Sequence, residues 1–315
     1  MPDLHVLFGA GQVGVPLARR LLAAGHRVRI AKRSPPAGLA GAEVATGDAT
    51  DPAFCARAAE GAKSVYHCMN PPYDRKAWAE LVPCYMENLI AAAARAGARL
   101  VVLDNLYMLG KPNGRPLSED TPMNPCSAKG EVRARAAERL SAAHAKGEVQ
   151  AVTGRASDYY GPGARLAFMG DFFWPDALAG KTVRVPVDPD AVHTYHYVPD
   201  VAGGLMALGT ADADVCGKSW MLPCAPAVSL REHARRFARH LGRPVEVVPA
   251  PRWIMGLMGL FVKPVREMAE MRYQWEEPFV IDDSRFRERF GAVPEDVDEA
   301  ARATVAWATE AYGKS

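Results

Sequence analysis

Apolar and polar positions along the first seventy residues alternate between two periods. Leu4-His5-Val6-Leu7-Phe8 is a short, mostly apolar run of the length of a buried strand, and Val13 to Ala24 sets Val13, Leu17, Leu21 and Ala24 on one side of a helix. Arg27 to Ala31 and Glu43 to Thr46 read as the next strands, Pro52 to Ala59 as a helix and Ser64 to Cys68 as a fourth strand. Lys76 to Ala96 is a long Ala-rich helix closed by Gly97, and Leu100 to Leu103 a fifth strand. After a Pro- and Gly-bearing loop at Lys111 to Pro125 come a helix over Ala128 to His144, with Glu131 and Arg135 spaced for an ion pair, and a strand at Val149 to Arg155. Strands that alternate with helices at this spacing predict an α/β chain with a doubly wound parallel sheet.

Composition narrows the class. The chain has 315 residues, a net charge of +2, 49% apolar and 23% charged residues, which suits a packed protein of about two domains and gives no global attraction to nucleic acid. The longest apolar run, Trp253 to Val262, is short of the roughly 20 residues that cross a bilayer, and Met1 to His5 leads straight into a strand without a cleavable leader pattern. Six cysteines (Cys55, Cys68, Cys84, Cys126, Cys216, Cys224) lie scattered without a Cys-x-x-Cys pair, so buried reduced thiols, a cytoplasmic location and no metal site are expected.

Gly9-x-Gly11-x-x-Gly14 sits between the first strand and the first helix. There the first glycine makes the tight turn, the second lets backbone approach a pyrophosphate, the third lets helix pack on strand, and the helix N-terminus faces the anion. This makes the sheet Rossmann-like and predicts dinucleotide contacts at Gly9, Gly11, Gln12, Val13 and Gly14. About 20 residues on, where an acidic side chain would take the ribose 2′-hydroxyl of NAD, stand Ala31-Lys32-Arg33-Ser34. Two cations and a hydroxyl suit a 2′-phosphate, so Lys32, Arg33 and Ser34 point to NADP(H) in preference to NAD(H), against the plainer reading of a solvated loop.

Further motifs make the chain recognisable. Gly47-Asp48-Ala49-Thr50-Asp51, Asp158-Tyr159-Tyr160-Gly161-Pro162-Gly163, Tyr197-Val198-Pro199-Asp200-Val201-Ala202, and the ending Asp283 to Phe290 with Val305-Ala306-Trp307 together resemble the extended short-chain dehydrogenase/reductases, the NAD-dependent epimerase/dehydratase-like group. The resemblance implies that Asp48 and Ala49 approach the adenine and that Tyr159 and Tyr160 pass near the nicotinamide end. It also implies a sheet domain over 1–164, re-entered by about 192–224, and a smaller substrate-binding lobe from 165–191 and 225–315.

The departures from that family carry as much information. Its catalytic Ser or Thr, counted back from Gly110, falls on Asn105, and in its Tyr-x-x-x-Lys pair Lys129 fits the lysine while Pro125 stands where the tyrosine would be. Lys129 is expected to hold the nicotinamide ribose, Asn105 to donate to a substrate oxygen or to cap a turn, and Tyr107 to be the first replacement acid, with Tyr159 and Tyr160 as competitors. His193-Thr194-Tyr195-His196-Tyr197 offers His193 and Tyr195 as pocket-lining groups or as a bonded structural cluster. The arginines from Arg231 to Arg243 read as a solvated helix face.

The function expected is NADP(H)-dependent hydride transfer with a small, fairly apolar carbonyl, imine or activated alkene. The alternatives are a nucleotide-sugar epimerase or dehydratase with a tightly held cofactor, and a non-catalytic NADP(H) sensor. The expected partner is a small-molecule substrate, without nucleic acid or membrane, and the apolar, Met-bearing C-terminal segment is compatible with a homodimer.

Overall fold

A computed structural model describes residues 2–34, 39–251 and 263–313. The chain packs as two compact units, the first made of 1–110, 123–156 and 201–222, the second of 111–122, 157–200 and 223–315. The stretch 157–164, read from the sequence with the sheet domain, belongs to the second unit. Asp158–Tyr160 pairs in parallel with Tyr195–Tyr197 rather than with the large sheet.

The first unit is built on β1 (Leu4–Phe8), β2 (Arg27–Lys32), β3 (Glu43–Thr46), β4 (Ser64–His67), β5 (Arg99–Asp104) and β6 (Gln150–Arg155), with a seventh strand at Ser219–Met221. Every pairing is parallel, and from the seventh strand the order runs β6-β5-β4-β1-β2-β3. Chain order therefore reverses between β1 and β4, which makes the crevice beyond their carboxyl ends the topological switch point. β1 and β4 are buried at every position, as expected for strands covered on both faces.

Helices α1 (Gly14–Ala23), α2 (Pro52–Ala59), α3 (Arg75–Ala96) and α4 (Ala128–Ala145) follow the strands, within a residue or two of the predicted spans. Three carry side-chain caps. Asp51 accepts from the Ala53 amide, Asp74 from Ala77, and Ser127 from Gly130, each satisfying an amide that has no partner inside the helix.

Among its described residues the second unit has three two-stranded sheets and a core of Phe173, Trp174, Tyr195, Phe237, Trp275 and neighbouring residues. Its helix Leu230–Leu241 buries Leu230, His233, Ala234 and Phe237. On its polar side Arg231 meets Asp190 at 2.6 Å and Arg239 meets Asp298 at 3.2 Å, a solvated face of ion pairs. Met271 belongs to the core, whereas Trp253 to Val262 lies outside the described residues. All six cysteines are free. Cys55 and Cys224 are buried as expected, but Cys126, in the loop that leads to α4, is exposed. No helix among the described residues is long and apolar enough to cross a membrane.

His233 packs against Tyr160 (centroids 4.7 Å) and Tyr195 (5.3 Å), and burial, with Arg236 and His193 adding to it, lowers its pKa to about 3. The unfolded chain takes up a proton near pH 6.5 that the native imidazole refuses until about pH 3, so stability is full above that window and falls as pH drops through it. Urea unfolding between pH 7 and 4.5 should show this loss, and His233→Phe should flatten it by up to about 1.4 kcal/mol per pH unit. An unchanged slope in the variant would assign the loss to other groups.

Candidate functional site

The crevice starts where Phe8 lies opposite His67 in the β1–β4 register. Gly9 follows at φ +105°, and a Cβ there would come within 2.7 Å of the Cys68 carbonyl oxygen; one on Gly14 would meet the Gly9 oxygen at 1.9 Å. Both glycines are thus demanded by the protein's own backbone. Gly11 is different, since a Cβ there would meet nothing within 4 Å, so only an approaching ligand gives a reason for its bareness. Val13 caps α1 without a side-chain hydrogen bond and the first turn carries no acidic residue, which leaves the positive end of the helix suited to an anion. The Gln12 Oε1 is a buried acceptor with no partner among the described residues. A bare turn, an uncapped helix start and a buried acceptor fit a dinucleotide.

At the end of β2, Lys32 is half-buried while Arg33 and Ser34 are exposed, and no carboxylate occupies the strand end. The Asp48 carboxylate accepts from the Thr50 amide and hydroxyl, both at 2.9 Å, and these bonds, with the field of Arg33 as a smaller contribution, hold its pKa below the ordinary value. The Ala49 carbonyl accepts from Asn88 Nδ2 at 2.8 Å, so this segment is tied to α3.

Asn105, Tyr107 and Lys129 all belong to the first unit. The Asn105 Oδ1 accepts from the Tyr107 amide at 3.0 Å, capping a 3₁₀ turn at Tyr107–Leu109 and leaving its NH₂ as the remaining donor. The Tyr107 ring stacks on Trp78, with centroids 5.8 Å apart and planes 17° from parallel. Lys129 is 0% exposed, and its Nζ lies 4.6 Å from the centroid of the Tyr73 ring.

Sequence reasoning missed the neighbours that complete this cluster. Arg133, one turn beyond Lys129 on α4, is buried, lies 4.8 Å from the Trp78 ring centroid, pairs with the buried Asp104 at 3.3 Å and donates to Asn70 Oδ1. Tyr73 meets Trp78 edge to face at 5.9 Å. The signal was the i,i+4 spacing of Lys129 and Arg133, which puts two cations on one helix face. Nearby, His67 Nδ1 accepts from the Met69 amide, so Nε2 carries the hydrogen; burial and then Arg133 lower its pKa to about 3.

Tyr159, Tyr160, His193 and Tyr195 lie in the second unit, each on a short strand. His193 is 0% exposed, stacked between Trp275 (4.9 Å, 11°) and Phe279 (5.1 Å, 13°), with Nδ1 against the Gln274 carbonyl and Nε2 2.9 Å from Asp158 Oδ2. The Tyr195 hydroxyl accepts from Trp275, and burial raises the hydroxyl pKa of both Tyr160 and Tyr195. Tyr159 is the part-exposed member of the four. Among the described residues no group of three or more His, Cys, Asp or Glu side chains is placed to hold a metal ion.

Comparison with known proteins agrees with the fold. The model of the NAD dependent epimerase/dehydratase family matches residues 6–222. The 3-diazoavenalumate denitrifying reductase of a Streptomyces species is 30% identical over 254 residues, covering 74% of this chain and 80% of that protein. Among solved structures, MoeE5 in complex with UDP-glucose and NAD has a TM-score of 0.76 at 22% identity, covering 98% of this chain and 99% of that one. The Thermus thermophilus UDP-glucose 4-epimerase complex with NAD has a TM-score of 0.75 at 20% identity, with 98% and 99% covered.

The Asp104–Arg133 pair gives a stability test. Arg133→Met leaves the buried Asp104 charge without this partner and should cost about 3 kcal/mol or more in urea unfolding. Adding Asp104→Asn should recover part of that loss, whereas additive losses would show that the two side chains are not coupled.

Proposed function

The chain belongs to the NAD dependent epimerase/dehydratase family and is an NAD(P)-dependent enzyme of the short-chain dehydrogenase/reductase superfamily; from that premise we propose that it works as an NADP(H)-dependent reductase of a small, fairly apolar electrophile. The observation that carries the cofactor choice is the end of β2, where Lys32, Arg33 and Ser34 stand and the strand end itself carries no carboxylate. Asp48 is fixed by Thr50 beside Arg33, so it orients the adenine side of the crevice without cancelling both cations. Support for reduction over epimerisation comes from the Streptomyces relative, named as a reductase of a diazo compound.

Gly9, Gly11, Gln12, Val13 and Gly14 hold the pyrophosphate and adjoining ribose. Bound NADPH supplies the hydride. The protein's own part is to orient the acceptor, keep the crevice dry and stabilise the charge that develops on the substrate. For that last task the proposed donor is the Asn105 NH₂, since its Oδ1 is already engaged by the Tyr107 amide.

Steady-state NADPH oxidation against a panel of aldehydes, ketones, imines and an arenediazonium salt tests the reading. Turnover with NADPH preferred over NADH is the expected result, and Arg33→Asp should reduce that preference in kcat/KM by about tenfold or more, about 1.4 kcal/mol. Purified protein that retains nicotinamide stoichiometrically and consumes none on any compound would favour an epimerase or dehydratase instead. Binding without any chemistry would favour a sensor.

A further inference from the structure

Lys129 is wholly buried, and the phenol ring it faces does not belong to a residue near it in sequence. We propose that Tyr73, on the segment between β4 and α3, is the group that gives its proton to the reduced substrate, with Lys129 as its electrostatic partner. The proposal rests on the reductase reading for the identity of the proton acceptor, and on geometry alone for the Tyr73–Lys129 pairing.

An ammonium 4.6 Å from a phenol centroid interacts with the ring quadrupole while the phenol is neutral, and with a full negative charge once the proton has left. The second interaction is much stronger, so the contact favours the phenolate and eases proton release. Burial keeps the partner in place, because Lys129 sits in the first turn of α4, which Ser127 caps. Tyr73 is fixed from both sides as well. Asn70 is held by Arg133, Asp74 caps α3 through Ala77, and the ring makes a T-shaped contact with Trp78. Yet Tyr73 is only half-buried, which an acid that must meet a substrate requires. Tyr107, by contrast, commits the face of its ring to stacking on Trp78.

The step balances with the reductant already named. Hydride addition to the carbonyl carbon forms a C–H bond and sends the C=O π pair to oxygen; Tyr73 transfers its phenolic proton to that oxygen and keeps the O–H pair as phenolate, which water then reprotonates. In an imine the nitrogen takes the place of oxygen.

Two readouts test this. With a carbonyl or imine compound of the panel that is turned over, Tyr73→Phe should lower kcat by about 100-fold or more while the dissociation constant for NADPH, read by fluorescence, stays within about twofold. A Tyr73→Phe enzyme at full kcat, with the large fall in Tyr107→Phe instead, overturns the proposal. The second readout needs no turnover. Absorbance at 295 nm follows ionisation of the ten tyrosines, and Lys129→Met should move one phenol to higher pH in the parent protein but none in the Tyr73→Phe background. The same movement in both backgrounds overturns the pairing. Should Lys129→Met fail to fold, Tyr73→Phe alone decides, because it should remove the earliest-ionising phenol and overturns the pairing if it does not. If the wild type reduces nothing on the panel, the reductase reading is lost while the titration still decides the pairing.

Discussion

The close approach of β1 and β4 at their carboxyl ends is the constraint from which the rest of the first unit follows. Phe8 lies beside His67, and the next residues touch backbone to backbone, with no room for a Cβ on Gly9 against the Cys68 oxygen or on Gly14 against the Gly9 oxygen. Those two contacts force the chain to turn at once and start α1 directly over the strand ends. The uncapped amides of that helix then face the crevice where strand order reverses. Packing therefore fixes where an anion can sit before any ligand contact is considered. Gly11 stands apart because no packing argument explains it, which makes it the glycine that speaks for a ligand.

The same crevice is bounded by a cluster whose members come from separate segments of the chain. Asn70 and Tyr73 follow β4, Trp78 opens α3, Asp104 to Tyr107 end β5, and Lys129 and Arg133 lie on α4. Contacts among them are mutually supporting: Arg133 lies over Trp78, bonds Asn70 and pairs with Asp104, while Trp78 receives Tyr73 on its edge and Tyr107 on its face. A change in one member is felt by the others through shared partners, so mutational effects here will not add.

Most of the sheet was legible because its signals are local. Leu4 to Phe8, Ser64 to His67 and the glycine turn show their roles within five or six residues. The site was only half legible. Lys129 stood out by its likeness to the lysine of the family's Tyr-x-x-x-Lys pair, but its contact with Tyr73 joins positions 56 residues apart and no period encodes it. The pairing of Asp158 with His193 is equally non-local. It places His193, read from the sequence as either a pocket-lining group or part of a bonded structural cluster, between two aromatic rings.

Electrostatics suggest that this cluster is kept for use rather than for stability. Lys129 occupies the second position of α4, where the partial positive charge of the helix end opposes a cation by about 0.3–1 kcal/mol, and burial adds a desolvation cost of several kcal/mol. A leucine there would avoid both penalties. Part of the cost is offset by the electron-rich face of Tyr73, and the neighbouring Arg133 is offset by Asp104 and Trp78. A chain that breaks two local rules at one residue, and arranges aromatic faces and a carboxylate around it, has fixed a positive charge at the end of β4 and β5 where a dinucleotide crevice opens. In the proposed reduction, that charge stands to stabilise the group that turns negative, a developing alkoxide or the phenolate left by Tyr73.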